Sequence, residues 1–297
     1  MERKVIARVK GGLGNQLFCY AAARRLALVN NAELVIDDMT GFVRDRQYRR
    51  KYLLDHFRIP GRKATPAEKL EPFERARRAV LKWLNRNRPF HNKRYLEQEG
   101  LNFDPRLLDY KVQDTVYLDG LWQSEWYFKD VEAVVRKDLE IIPPEDEINQ
   151  RIAVQIQQLN AVAVHVRWFD PPCDASSYNV AQNYYQKALG FMDQKVGQPQ
   201  YFVFSDDPRA ARECLALPED RATFVDHNHR AENDYADLWL MTQCSHFIIA
   251  NSTFSWWGAW LREANDKIII SPKITILEGQ ITAWNFPGLI PSDWLQV

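Results

Sequence analysis

The hydrophobic positions of this chain follow two alternating patterns. Short unbroken apolar runs, such as "AVAVHV", "YFVF" and "KIII", are typical of strands that are buried on both faces of a sheet. Segments such as "LFCYAAARRLALV" and "YADLWLMTQC" place apolar residues at helical spacing instead. Because strands and helices alternate in this way, we predict an α/β architecture with parallel sheets that helices cover on both faces.

The segment "PPEDE" at residues 143–147 interrupts the alternation and is the best candidate for a linker. Before it, strands are predicted at "VIARV", "AELVID" and "VYLDG", with a helix over residues 17–29. After it, the strand–helix order continues to the strand "KIIIS". We therefore predict two Rossmann-like lobes facing a cleft. The N-terminal lobe covers residues 1–145 and the C-terminal lobe residues 146–297, whose final segment can pack back on the first lobe.

Composition narrows the class of protein. A chain of 297 residues, 46% of them hydrophobic, can bury the cores of two domains. Its 39 basic and 39 acidic residues balance, so the overall charge gives no sign of a nucleic-acid partner. Four cysteines without paired spacing indicate a reducing compartment and no zinc site, and Cys19 and Cys244 have the apolar neighbours of buried thiols. Without a long apolar run or a signal-peptide pattern, a cytoplasmic protein is expected.

Four polar clusters fall where predicted strands end, which is the edge at which parallel sheets bind ligands. The first is "GGLGNQ" at residues 11–16, where Gly12 and Gly14 would let the backbone approach a ligand. Asp37 ends the next strand, as a ribose-binding acid would, but Leu17 replaces the third glycine of a dinucleotide fingerprint. The cluster fits a tight strand-to-helix turn or a nucleotide site, so an NAD-dependent oxidoreductase is one alternative function.

The second cluster is "HVRWFD", in which Arg167 directly follows the strand "AVAVHV". The forked donors of an arginine fit either phosphate or carboxylate. Arg167 therefore pairs internally with Asp170, or it binds an anionic ligand, to which a charge-assisted hydrogen bond contributes roughly 1.5–3 kcal/mol.

The remaining clusters are "FSDDP" and "ANSTFSWWGAW". Asp207 before Pro208 is an ordinary helix cap, which leaves Asp206 to accept from a base or a ribose. Adjacent aspartates of this kind do not predict a metal site. Hydroxyl and amide side chains crowd the start of the last predicted helix and indicate an anion site, whereas its tryptophans fit core packing better than ligand stacking. The crowded residues are Asn251, Ser252, Thr253 and Ser255.

Together these clusters predict a nucleotide-sugar transferase whose C-terminal half binds a diphosphate. The aromatic loop "LWQSEWYF" in the N-terminal half is of a kind that stacks on sugar rings. A basic segment that begins at Arg62 and ends at Arg94 fits either an ordinary solvated helix or a peripheral contact with a membrane surface.

The same segments resemble the α-1,2-fucosyltransferase family found in bacteria and animals. The resemblance spans nearly the whole chain, through "GGLGNQLFCYAAARRLA", "YLLDHFRI", "GLWQSEWYF", "HVRWFD" and "FVFSDD". Its most specific segment is "DLWLMTQCSHFIIANSTFSWWGAWL". It implies a GT-B fold and inverting transfer of L-fucose from GDP-β-L-fucose to the 2-hydroxyl of a terminal galactose, without a metal or other cofactor.

The resemblance also implies roles for individual residues. Arg167 would bind the diphosphate, and Ser252, Thr253, Phe254 and Ser255 would add phosphate contacts. From the residues themselves, we expect Asp170 to orient Arg167 and His165 to help stabilise the leaving group. Where the family usually has a second arginine and then Gly-Asp, this chain has Trp168 and Phe169, so Trp168 has no assigned role. Catalysis is expected from Arg167 and Asn15. Donor contacts are expected from Gly12, Gly14, His165, Asp170, Asp206, Asn251, Ser252, Thr253, Phe254 and Ser255, and acceptor contacts from Gln16, Trp122 and Gln123.

Overall fold

The computed structural model describes residues 2–168, 179–273, 284 and 288–297. They fall into two compact units, with the division between Ile142 and Pro143. Gly288 and Leu289 belong to the first unit, and the residues from Ile290 to the end belong to the second. Within the described residues, no helix has the length and apolar content needed to span a bilayer.

The described strands of the first unit form one parallel sheet in the order β3-β2-β1-β5-β4. The chain builds outward from β1 through β2 to β3 and then continues on the opposite side, so the sheet has a topological switch point between β1 and β5. The strands are β1 (Lys4–Arg8), β2 (Glu33–Asp37), β3 (Arg62–Lys63), β4 (Tyr95–Glu97) and β5 (Thr115–Asp119). The helices are α1 (Leu13–Val29), α2 (Glu74–Asn85) and α3 (Glu132–Asp138).

The described strands of the second unit form a parallel sheet in the order β11-β10-β9-β6-β7-β8. Its strands are β6 (Ala161–Val166), β7 (Gln200–Ser205), β8 (Ala222–Val225), β9 (His246–Ile248), β10 (Ile269–Ser271) and β11 (Leu295–Gln296). Its helices are α4 (Glu147–Gln157), α5 (Gln182–Lys195), α6 (Pro208–Leu215), α7 (Asp234–Gln243) and α8 (Thr253–Leu261). The chain runs from β6 through β7 to β8 and then crosses to β9, so the switch point lies between β6 and β9.

The predicted α/β architecture with parallel sheets is confirmed in both units. β6 is buried along its whole length, as its unbroken apolar run predicted. The tryptophans of α8 are core residues, also as predicted, because Trp256 and Trp257 are inaccessible to solvent. Trp256 stacks with Trp260, and Trp257 packs edge-on against both. Gly258 allows α8 to lie close to α7, since a Cβ there would be 3.0 Å from Cε of Met241.

The first helix begins earlier than the sequence predicted. Gly12 is its extended N-cap, and its carbonyl accepts from the backbone N–H groups of Asn15 and Gln16. Asn15 and Gln16 therefore lie in the first turn of α1 and not in a glycine loop. Gly14 is buried in that first turn, where it has the helical φ/ψ angles that glycine, like other residues, can adopt.

Gly11 is the residue of this turn that requires glycine. Its φ is +81°, and a Cβ there would lie 2.8 Å from Nδ2 of Asn15. We expect Gly11→Ala to lower the free energy of unfolding by about 1–3 kcal/mol, because alanine strains this backbone and meets the Asn15 side chain. Urea denaturation measures the loss. Gly190→Ala is the control: it lies inside α5 with no neighbour near its Cβ, so a gain of about 0.5–1 kcal/mol is expected.

Candidate active site

The most favourable position for a ligand in the second unit is the carboxyl edge of its sheet at the β6/β9 switch point. Arg167 follows β6 there, and the segment leading to α8 follows β9. His165 connects the end of β6 with the first turn of α8. Its Nδ1 lies 3.0 Å from Oγ of Ser255, and its ring centroid lies 5.5 Å from that of Phe254. Two of the sequence-predicted clusters thus meet at one edge, as the strand-end argument required.

Arg167 pairs with an aspartate from the neighbouring strand. Its Nη1 lies 2.6 Å from Oδ2 of Asp206, which follows β7, and Oδ1 of Asp206 accepts from the backbone N–H of Trp168 at 2.8 Å. Both carboxylate oxygens of Asp206 thus bind residues that follow β6, and its predicted contact with a base or a ribose stays a prediction. Asp170, the predicted orienting partner of Arg167, lies outside the described residues. In the structure, Asp206 holds the Arg167 side chain in position.

Trp168 has a structural role in the described fold. Its side chain packs against the hydrophobic core of the second unit, and its backbone holds Asp206 beside Arg167. The residue that replaces the family's second arginine thus fixes the position of the first.

His165 is a neutral acceptor and not a cation. Burial, together with the positive charge of Arg167, lowers the pKa of His165 to about 3. Ser255 donates its hydroxyl to the carbonyl of Ser252, so its oxygen accepts from Nδ1–H of His165, which leaves Nε2 with a lone pair. The expectation that His165 helps to stabilise negative charge is therefore corrected, because a neutral imidazole brings no charge.

The polar residues around the α8 start divide into two groups. Ser252 is the N-cap, where its side chain accepts from the backbone N–H of Phe254 at 3.3 Å, and Ser255 is fully buried against His165. Ser255 is closed to the donor, so its predicted side-chain contact is wrong, whereas Ser252 is partly exposed and its contact stays a prediction. Asn251, Thr253 and Phe254 are partly exposed and remain candidates.

In the first unit, the side chain of Gln16 joins the start of α1 to residues 51–53 by hydrogen bonds. It is inaccessible to solvent, and its amide donates to the carbonyls of Gly11 and Lys51 while its oxygen accepts from the backbone N–H of Leu53. Every polar atom of the side chain is engaged, so its predicted acceptor contact is wrong. Gly14 is buried in the same helix turn, and its predicted contact with the donor stays a prediction.

The aromatic loop also differs from its prediction. Trp122 is buried and packs edge-on against Tyr127, so its ring cannot stack on a sugar. Gln123 is nearly buried and donates to Oδ1 of Asn15 at 2.7 Å. Asn15 and Gln123 thus form one amide pair at the start of α1, beside the exposed part of Gly12.

Asp37 does not have the features of a ribose-binding acid. It is buried, it accepts from the backbone N–H groups of Met39 and Thr40 and from the Thr40 hydroxyl, and Arg78 lies 3.6 Å away. These bonds hold the loop after β2. The acidic residue on which the oxidoreductase alternative depended is therefore a structural group.

A charged cluster at the β1/β5 switch point was not predicted from the sequence. Asp119, at the end of β5, lies 2.8 Å from Nζ of Lys10 and 3.3 Å from Nη1 of Arg8, and Tyr95 donates its hydroxyl to it. Burial would raise the pKa of Asp119, but Lys10 and Arg8 outweigh it and hold the pKa well below its usual range. The signal was available: charges end the apolar strands in "VIARVK" and "VYLDG".

Other predictions for single residues are confirmed. Asp207 is the N-cap of α6, accepting from the backbone N–H of Ala210, and Cys19 and Cys244 are buried thiols. Across the described ranges, no three histidine, cysteine, aspartate or glutamate side chains come together as metal ligands would. Metal independence stays a prediction.

Asp237 on α7 provides a pH-dependent prediction. Burial raises its pKa to about 7, against the hydrogen bond from Asn228 at 2.8 Å. Since the folded protein retains a proton that the unfolded chain releases near pH 4, stability is lost as pH rises from about 4 to 7. Asp237→Asn keeps the acceptor oxygen and should raise the free energy of unfolding by about 2 kcal/mol near pH 8.

Urea titrations of both proteins at several pH values test this. The difference between them should shrink toward zero as the pH falls to about 4. A difference that does not change with pH would contradict the raised pKa.

Comparisons with known proteins agree with this architecture. The sequence matches the family described as Glycosyl transferase family 11 over residues 4–279. It is 30% identical to the O-antigen biosynthesis glycosyltransferase WbnK of Escherichia coli, covering 89% of this chain and 92% of the relative. It is 27% identical to an alpha-1,2-colitosyltransferase of Escherichia coli, covering 99% and 98%.

Solved structures share the fold at low identity. Fucosyltransferase NodZ from Bradyrhizobium matches with a TM-score of 0.53 at 16% identity, over 87% of this chain and 92% of that one. FUT1 of Arabidopsis thaliana in complex with GDP matches with a TM-score of 0.54 at 13% identity, over 91% and 70%. These neighbours are of the GT-B type, and so is this chain, as its sequence resemblance implied. The match over nearly all of its length makes this chain a member of glycosyltransferase family 11.

Proposed function

We propose that this glycosyltransferase moves L-fucose from GDP-β-L-fucose to the 2-hydroxyl of a terminal galactose, with inversion and without a metal. The family membership supports sugar transfer, and the name of the colitosyl relative supports an α-1,2 linkage. Among the fold neighbours, NodZ α-1,6-fucosyltransferase was studied with GDP-fucose, and FUT1 with GDP.

The observation that carries the proposal is the position of Arg167 at the β6/β9 switch point. Cleavage of the fucosyl–phosphate bond places negative charge on GDP, and stabilising that charge is the main contribution a protein can make. Arg167, held by Asp206, supplies a fixed cation. The start of α8 at Thr253 and Phe254 adds the positive end of a helix dipole.

His165 has a different role in this scheme. With Nδ1 fixed on Ser255, its Nε2 is a neutral acceptor that remains so across the physiological pH range. Such a group fits a donor hydrogen of the nucleoside, as on a ribose hydroxyl or a base N–H. We assign it to nucleoside recognition and not to charge stabilisation.

On the acceptor side, the amide pair of Asn15 and Gln123 is the proposed contact for fucose or galactose. Amides orient sugar hydroxyls by hydrogen bonds but do not remove protons at neutral pH. The proposed mechanism therefore rests on leaving-group stabilisation, with a loose transition state and little help from a general base.

The experiment is transfer from GDP-fucose to lactose in the presence of EDTA. We expect a trisaccharide whose NMR spectrum shows α-fucose on the 2-position of galactose, at an undiminished rate in EDTA. Fucose at another position would refute the α-1,2 assignment. Abolition of activity by EDTA and its restoration by manganese would refute metal independence.

A colitosyl donor is a second candidate, because the relative named for that sugar matches 99% of this chain. Colitose is fucose without its 3-hydroxyl, so both sugars can fit one site. Competition between GDP-fucose and GDP-colitose in the same assay decides the preference. A kcat/KM at least tenfold higher for GDP-colitose would replace fucose in the proposal.

A further inference from the structure

Helix α2 is oriented with its polar face inward. Arg78 and Asn85 are buried against the first unit, whereas Val80, Trp83 and Leu84 are 54%, 72% and 47% exposed. Surface helices normally show the opposite arrangement, with the apolar stripe on the core. Single exposed apolar residues are ordinary, but a continuous apolar face on one helix indicates an interaction surface.

The inward polar face fixes this orientation. Arg78 donates to the hydroxyl of Thr40 at 2.9 Å and lies 3.6 Å from the buried carboxylate of Asp37. Asn85 accepts from the backbone N–H of Arg94 at 2.6 Å. Rotating the apolar face inward would leave Asp37 buried without its cation, which is costly. The outward apolar face is therefore a stable feature of the fold.

The outward face is continuous and bordered by arginines. At a helical spacing of about 100° per residue, its apolar residues share one arc of about 140°, between Arg75 on one side and Arg77 on the other. Phe73, just before the helix, is 76% exposed and extends this surface. We call these residues the α2 face: Phe73, Ala76, Ala79, Val80, Trp83 and Leu84.

The surroundings of the α2 face are strongly basic. Residues 71–94 contain eight lysines and arginines and two acids, in a chain with no net charge. The first part of the predicted basic segment is neutralised, because Arg62 pairs with Glu33 and Glu68 and Lys69 pairs with Asp38. Further along, Lys82, Lys93 and Arg94 also pair, with Glu97, Glu99 and Asp114. Among the described residues, the excess charge therefore lies at Arg75, Arg77, Arg86 and Arg88, in and just after α2.

A cation-lined pocket adjoins the helix. Its volume is about 220 Å³, and five cations line it: Arg8, Arg44, Arg75, Arg78 and Lys82. Glu74 is the acid among its lining residues. Within the described residues, the side chains of Arg44 and Arg75 form no ion pair, so both can bind an anion such as a phosphate.

We propose that the α2 face docks this protein on an anionic lipid bilayer. Aromatic and aliphatic side chains would enter the interface, and the flanking arginines and the pocket would bind lipid phosphates. A second copy of the chain fits less well, because two α2 faces would bring their arginines together. Nucleic acid would use the cations but not the apolar arc between them.

Vesicle sedimentation tests the proposal directly. The protein should bind vesicles of phosphatidylglycerol and phosphatidylcholine, bind phosphatidylcholine alone much less, and dissociate as salt is raised. Trp83→Ser should lower the partition coefficient by about tenfold or more. Arg75→Gln should lower it by roughly fivefold on anionic vesicles.

Matched substitutions separate docking from general effects. Val154 on α4 is as exposed as Val80, at 54%, so Val80→Ser should weaken binding whereas Val154→Ser should not. Arg209→Gln is the matched control for Arg75→Gln, since Arg209 is exposed in the second unit. Equal binding by Val80→Ser and the parent would overturn the proposal. A dimer in analytical ultracentrifugation that Trp83→Ser dissociates, without vesicle binding by the parent, would assign the face to a second copy.

Discussion

An Arg167→Lys variant is expected to lose about a hundredfold or more in kcat/KM for transfer from GDP-fucose. Lysine keeps the charge but loses the planar fork, which binds two phosphate oxygens at once and cannot be replaced by a point charge. Removing one preorganised donor from a developing anion typically costs about 10²–10³ in rate. The effect should appear in kcat as well as in GDP affinity, because the charge on the leaving group grows in the transition state.

Asp206 and Arg209 provide the comparisons for this variant. Asp206→Asn keeps the acceptor for the backbone of Trp168 but removes the charge that holds Arg167, so a smaller loss of about tenfold is expected. Arg209→Lys, on the exposed side of α6, should leave kcat/KM unchanged. An unchanged melting temperature excludes misfolding as the cause. Activity of Arg167→Lys within a few-fold of the parent would contradict the diphosphate role.

The second unit was largely predictable because its strands are continuous apolar runs. In a parallel sheet the carboxyl ends share one edge, so the meeting of the His165–Arg167 segment with the α8 start, through His165, followed from strand ends alone. The partner of Arg167 did not follow. Asp170 is near Arg167 in sequence, whereas Asp206 reaches Arg167 only because β7 lies beside β6. The order of strands in a sheet cannot be predicted from the local sequence pattern.

The first unit was harder to predict because its polar residues are ambiguous. Gln16 and Gln123 follow glycines and strand ends, where either a ligand or the backbone can take their hydrogen bonds. A buried glutamine that satisfies backbone groups has the same sequence signal as one that binds a sugar. The short strands β3, β4 and β11 were missed as well, since two or three residues show no periodicity.

The orientation of α2 also depended on tertiary structure. Its alternation of arginines with alanine, leucine and tryptophan fitted a solvated helix, and helical periodicity alone suggests the apolar side as the inner one. The buried carboxylate of Asp37 reverses that choice, because it requires Arg78 as its cation. The apolar face of α2 is thus exposed because the charge of Asp37, at the end of β2, draws Arg78 inward.

An Asp119→Ala variant is expected to lose about 3–5 kcal/mol in free energy of unfolding, the largest stability effect among these variants. Asp119 is 3% exposed and lies between β1 and β4, where Arg8, Lys10 and the Tyr95 hydroxyl converge on its two oxygens. Alanine would leave the partly buried side chains of Arg8 and Lys10 near one another without their counter-charge, which costs more than the lost hydrogen bonds.

The pH dependence of the stability loss in Asp119→Ala shows whether the charge of Asp119 causes that loss. Because the cations hold the folded-state pKa of Asp119 below its unfolded value, its contribution is complete above about pH 4 and is lost as the pH falls further. The difference between Asp119→Ala and the parent should therefore be constant near neutrality and shrink in acid. Asp109→Ala, at an exposed aspartate of the same unit, is the control and should change stability by less than about 0.5 kcal/mol. A loss from Asp119→Ala that persists unchanged in acid would show that packing, and not the buried charge, stabilises this switch point.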